Sequence, residues 1–201
     1  MEQTKQKRFE TLAGQARKCV ICPDLADKIA VLSLMNGNIN PKVMFVAEAP
    51  GRQGADRTRK PFSGDNSGRN FQMLIDSINL RREDIFITNA VLCSPRKPSG
   101  ANRRPKKSEM NNCALFLEWT INLINPPIIV TLGTVALEAI KRIEMHDWKI
   151  KENVANVIIW NNFRLIPLYH PSPQVIASHR NMQQQCLDYK ILEREISKSK
   201  K

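Results

Sequence analysis

Pro41–Pro50 reads PKVMFVAEAP and Ile85–Leu92 reads IFITNAVL. The first is an apolar run closed by the turn Pro50-Gly51, and the second is rich in β-branched residues. Apolar runs of this length are what strands buried on both faces look like. Between them, Ser67–Leu80 (SGRNFQMLIDSINL) spaces Phe71, Leu74, Ile75 and Ile78 along one helical face. Strand, helix, strand is the unit of a parallel crossover, and the alternation continues outward from it. Ser108–Ile124 reads as a helix with Ser108 as N-cap and Pro126-Pro127 beyond its end. Ile128–Leu132 (IIVTL) is the next strand, and Gly133 starts a helix that runs through about Ile143. Asn156–Trp160 and Phe163–His170 flank Asn161-Asn162 as a hairpin, and one last helix spans about Pro173 to Glu195. The expected fold is α/β: a three-layer α/β/α sandwich on a mostly parallel central sheet of about four strands.

One domain is expected to cover residues 1–201, with ragged, charged ends and a lysine-rich tail from about 197 (Lys198, Lys200, Lys201). In open sheets of this kind, ligands bind beyond the carboxyl ends of the strands. Three distinctive segments fall at such ends: EAPG from Glu48, NAVLCSP from Asn89 and YHPSP from Tyr169. Fold logic alone gathers them into one cleft.

Charge points to the partner. The chain carries 31 Lys+Arg against 19 Asp+Glu, a formal net charge of +12. Such an excess favours a polyanion, although solvated lysines give the same total. Distribution decides between the two. Arg96–Lys107 (RKPSGANRRPKK) holds six positive charges, two prolines and no acid, as an exposed loop lying along phosphates would. No apolar run is long enough to span a bilayer, and the polar start MEQTKQKRFE lacks the apolar stretch of a secretory signal. A cytoplasmic, nucleoid-associated protein without a membrane partner is expected.

In that compartment five cysteines argue for a metal or redox site rather than disulfides. Cys19 and Cys22 form a C-x2-C pair; Cys93 follows at a strand end and Cys113 lies on the next helix. Four thiolates suit either tetrahedral zinc or a [4Fe–4S] cluster. Cys186 sits among polar residues of the last helix and is read as incidental, and His146 and His179 are read as surface residues.

Taken in order, Cys19-x2-Cys22, VAEAPG, PFSGDNSG, TNAVLCSP, a further Cys, IVTLG and YHPSP resemble the uracil-DNA glycosylase superfamily. The likeness runs from about Cys19 into the last helix. It is to the iron–sulfur branches, family 4 and family 5, which implies a structural [4Fe–4S] cluster on Cys19, Cys22, Cys93 and Cys113, with zinc as the alternative. Glu48 in AEAPG matches family 4, whereas Gly54 and Asp56 in RQGADRTRKPFSGDNSG resemble family 5. The sequence reads as family 5-like with family 4 features.

The resemblance implies excision of uracil, and of other deaminated bases in the family 5 case, from DNA by base flipping. It assigns His170 as the donor to the leaving base and Asp56 as the carboxylate that activates water, with Asp65 second; Asp65 could instead cap a helix. Glu48, Ala49 and Pro50 would hold the base, Phe62 would stack on it and Asn89 would read its edge. Without the resemblance, Phe62 is ordinary core and Asn89 a turn former. Ser172, Arg103 and Arg104 would contact uracil-containing DNA, the chain acting as a monomer; a sliding-clamp partner is left open. The rival reading is a non-catalytic nucleic-acid-binding module stapled by a metal centre.

Overall fold

A computed structural model describes residues 2–198, except the side chains of residues 2 and 3. Lys200 and Lys201 of the expected tail lie outside the described residues.

Four strands run parallel: β1 (Val43–Ala47), β2 (Ile85–Asn89), β3 (Ile128–Leu132) and β5 (Phe163–Leu168). A short β4 (Ile158–Trp160) pairs antiparallel with β5 at the edge. The order is β2-β1-β3-β5-β4, so the sheet has five strands rather than about four. The additional strand is the first arm of the expected hairpin. Its turn residues Asn161 and Asn162 have φ of 46° and 65°, the left-handed pair that a two-residue hairpin turn needs.

The buried runs alternate between two cores. Met44 and Val46 of β1 join Phe86, Ile129 and Leu165 on one face. Val43 and Phe45 join Ile85, Ile87, Val130 and Ile166 on the other. The first face is covered by α1 (Glu2–Arg17), α4 (Lys107–Ile124) and α5 (Thr134–Ile140). The second is covered by α3 (Asn66–Asp76) and α8 (Met182–Lys198). Helices on both faces make the sandwich three-layered, as the continuous apolar strands require.

Four expectations need correction. The N-terminal segment expected to be ragged is helix from Glu2 to Arg17: Phe9, Leu12, Ala13 and Ala16 line one buried face of α1, and Phe9 meets Phe86 edge-on at 5.5 Å. Helix α4 begins one residue before Ser108, because Glu109 reaches back 2.7 Å to the Lys106 amide and closes the first turn. Helix α5 stops at Ile140, short of Ile143. The last helix is two, α7 (Pro173–Ser178) and α8. Asn181 restarts the chain: its side chain accepts from the Gln184 amide at 2.9 Å while the Gln184 side chain accepts from Asn181 N–H at 3.0 Å. No helix among the described residues is long and apolar enough to cross a membrane.

Candidate active site

Order reverses at β1, whose neighbours β2 and β3 leave in opposite directions, and such a switch point opens a crevice beyond the strand ends. A cleft of about 470 Å³ lies there, lined by Glu48, Ala49, Pro50, Phe62, Asn89, His170 and Ser172 among others. All three distinctive segments meet in it.

Glu48 follows β1. Its loop is pinned to the exit of β2 by Ala90 N–H to Ala47 O at 2.8 Å and Val91 N–H to Glu48 O at 3.1 Å. The Glu48 carboxylate has no hydrogen-bond partner among the described residues. Burial raises its pKa; Arg104 pulls the other way and Glu138 adds to the rise.

Asn89 closes β2 and is 4% exposed, yet its side-chain Nδ2 has no partner among the described residues. A buried donor left unpaired costs roughly 1–3 kcal/mol, which a ligand in the cleft can recover.

His170 stands two residues beyond β5. Gly133 N–H, just past β3, donates to Leu168 O at 2.7 Å, and Asn70 Nδ2 of α3 donates to Pro171 O at 2.9 Å; together they fix the turn. The imidazole keeps an accessible edge toward the cleft, but protein packs around it closely enough that burial lowers its pKa to about 4. It is therefore neutral near pH 7 and holds one N–H donor. Neither ring nitrogen has a hydrogen-bond partner among the described residues.

Phe62 stacks on Phe71 at 4.4 Å with the rings 15° apart, and lies 5.7 Å from the His170 ring. Its φ is 49°, a backbone region that a bulky residue enters only when its surroundings hold it there. Phe62 therefore packs on the core through Phe71 and also lines the cleft.

Asp56 is placed differently. It sits on α2 (Ala55–Thr58), bound to Arg96 and 3.5 Å from Arg59, and does not line the cleft. Arg59 continues to the carbonyls of Ile29 and Ala30, so Asp56 is the knot that ties the basic loop to the body. Asp65 does line the cleft, and it also caps α3 by accepting from Gly68 N–H at 2.8 Å. Gly54 packs close beside it: a Cβ there would lie 2.3 Å from Asp65 Oδ2 and would push the carboxylate aside.

The basic loop is a built structure rather than a free strap: Arg96 and Asn102 bridge antiparallel around a tight turn at Gly100. Arg103 spends its charge inward, forking onto the buried Glu109 at 2.5 and 2.8 Å. Arg104 is half-exposed at the cleft, in a fork with Glu138 at 2.9 and 3.0 Å. Ser172 caps α7 through Val175 N–H at 3.4 Å, its hydroxyl at the cleft rim. Sequence reasoning missed Asn102 and Val175 of the lining and the support from Asn70, none of which belongs to a distinctive segment. His146 is not a plain surface residue: it stacks on Trp148 at 4.4 Å and its Nε2 meets Leu137 O at 3.1 Å. His179 is exposed, as expected.

The cysteines Cys19, Cys22, Cys93 and Cys113 are all free thiols in one corner. Burial pushes Cys93 up to about 12, with the nearby thiols of Cys113, Cys19 and Cys22 adding to it, and burial pushes Cys113 up to about 11. The Cys22 sulfur accepts from Asn112 Nδ2 at 3.3 Å. Among the described residues, no three His, Cys, Asp or Glu side chains close around a common point for a metal ion. Four free cysteines are the right kind of donor for a thiolate-bound centre.

The uracil DNA glycosylase superfamily model matches residues 34–189. A type-4 uracil-DNA glycosylase of Thermotoga maritima is 33% identical over 170 residues, covering 84% of this chain and 84% of that protein. A type-4 enzyme of Saccharolobus solfataricus is 35% identical, covering 82% of this chain and 76% of its own. A type-5 uracil-DNA glycosylase of Pyrobaculum aerophilum is 30% identical over 72% of this chain and 67% of its own.

Proposed function

The chain belongs to the uracil-DNA glycosylase superfamily, and from that premise we propose that its cleft receives a flipped uracil and cuts the bond between C1′ and the base. The observation that carries the reading is the unpartnered Asn89 amide, buried at the cleft that the partnerless His170 imidazole also lines.

Uracil offers a donor and an acceptor side by side, and the Asn89 carboxamide presents the matching acceptor and donor. Phe62 backs the base. As the C1′–N1 bond breaks, its electron pair moves onto the pyrimidine, and the neutral His170 N–H steadies the charge growing on a base oxygen. Water adds to C1′ and gives its proton to a carboxylate. Glu48 suits that role better than Asp56: it lines the cleft, its carboxylate is unpaired and its proton affinity is raised. Asp56, held between two guanidinium groups outside the lining, is read as an organiser of the loop, with Asp65 the second carboxylate within reach. The two replacements Glu48→Gln and Asp56→Asn separate these roles. In single turnover the first is expected to slow excision by roughly 10² or more, the second by only a fewfold.

Cys19, Cys22, Cys93 and Cys113 would hold a structural [4Fe–4S] cluster. When bound, it would take the four cysteines as thiolates, releasing their protons, and would brace the start of the basic loop. Iron and sulfide analysis of purified protein tests this; zinc without iron overturns it. The reading takes the chain as one domain acting as a monomer on genomic DNA inside the cell. Size-exclusion with and without a sliding clamp checks that last step.

The decisive assay is incubation with a uracil-containing duplex followed by alkali. Scission at the uracil supports excision; binding without scission returns the reading to a non-catalytic module. A panel of deaminated bases then sets the breadth.

A further inference from the structure

Arg82 has no role in the chemistry above, yet it is placed as few arginines are. It lies in the short helical turn Arg82–Asp84 before β2, in no ion pair among the described residues. Its Nη1 is buried without a partner, and burial lowers its pKa, with only Glu83 opposing. An arginine left that way is costly unless its geometry is needed elsewhere.

The geometry leads to Phe62. Arg82 Nη2 donates to Pro61 O at 2.6 Å and approaches Phe62 O at 3.5 Å. These carbonyls flank the Phe62 α-carbon, so one guanidinium grips both peptides that set its left-handed φ of 49°. The same guanidinium lies 5.6 Å from the centroid of Phe71, the ring on which Phe62 stacks. Gly68 closes the pocket from α3: a Cβ there would come within 2.6 Å of Phe62 O. One half-buried cation thus grips the Phe62 backbone and also lies over Phe71, the ring that backs it.

We infer that Arg82 is a positioning residue that fixes the Phe62 ring as the platform for the flipped base, an inference that rests on the excision reading for its kinetic test. It acts through Phe62 and does not touch the base. A displacement of the platform by an ångström or so lowers the rate by roughly 10- to 100-fold.

The test is a double-mutant cycle in single-turnover excision, joining Arg82→Met to Phe62→Leu. Arg82→Met alone is expected to slow excision by roughly 10- to 100-fold, with duplex affinity changing less than about twofold. In the Phe62→Leu background the same change should cost less than about threefold. Equal losses in both backgrounds would mean that Arg82 is merely structural and would overturn the inference. If Arg82→Met does not fold, Arg82→Gln and Arg82→Lys run the same cycle, with Lys expected to keep more activity than Gln. Hydrogen exchange of residues 61–64, measured without DNA, reads the clamp directly. Faster exchange in the Arg82 variants supports it, and unchanged exchange overturns it even should the wild type prove unable to excise uracil.

Discussion

Gly133 and His170 are packed so tightly that a Cβ on Gly133 would sit 3.2 Å from the Cβ of His170. The backbone of Gly133, at φ 87°, is also one that other residues rarely adopt. Gly133→Ala therefore has two effects: strain in its own backbone and a push on the imidazole. A stability loss of about 1–2 kcal/mol is expected in urea unfolding. Excision should fall by roughly tenfold or more, because the donor is moved off the leaving base. A variant that is destabilised but turns over normally would show that His170 tolerates the shift.

His170 gives a pH signature with a definite sign. Its folded pKa of about 4 lies below the ordinary 6.5, so the unfolded chain binds the proton first as pH falls. Stability is lost progressively from about pH 6.5 down to about pH 4, and is unaffected by this group above that window. His170→Gln should remove that part of the slope, closing the gap to wild type by about 1–2 kcal/mol between pH 7 and pH 5. Glu48 acts oppositely: its raised pKa favours the folded state as pH falls, so the comparison must be made on the His170 variant alone. Excision should fall on the acid side as Glu48 takes up its proton, before His170 does. Paired urea unfolding curves at the two pH values, and a pH–rate profile, check both statements.

Asn89 sets stability against function. Its Nδ2 is buried unpaired, a standing penalty in the free protein. Asn89→Leu removes the orphan without opening much space. The variant should melt no lower than wild type, with a gain of up to about 1–2 kcal/mol. Excision should be nearly abolished, since the base then meets an apolar wall where it presents a donor and an acceptor. A loss of both stability and activity would mean that the amide has a partner in the free protein.

How far the sequence leads depends on the kind of signal. The parallel frame is legible because β1, β2 and β3 are apolar on both sides, and little besides a buried sheet demands that pattern. The cleft is legible because Glu48, Asn89 and His170 each fall at or just beyond the end of a strand. Helix α1 is not, because its buried stripe includes Ala13 and Ala16, too small to stand out among charged neighbours. The α7–α8 break is hidden because Asn181 signals a cap only once Gln184 is seen to answer it. The partner of Asp56 is hidden for a similar reason: its spacing after Gly54 says nothing of Arg96, forty residues on, which pairs with its carboxylate.

Arg103 and Arg104 are neighbours of identical charge, and their partners assign them opposite work. Arg103 neutralises Glu109, which is 3% exposed, and also hydrogen-bonds the Arg96 carbonyl at 3.1 Å. Arg103→Ala strands a buried carboxylate, so a loss of about 3 kcal/mol or more is expected, with folding recovered as Glu109 is made neutral by Glu109→Gln. Arg104 is held only by an exposed fork with Glu138, which contributes little in water and which a phosphate can replace. Arg104→Ala should leave the melting temperature nearly unchanged, weaken duplex binding regardless of sequence and lower the slope of log affinity against log salt by about one. Binding titrations at several salt concentrations, set beside the melting curves, distinguish the two. An unchanged salt slope in Arg104→Ala would remove Arg104 from the DNA surface.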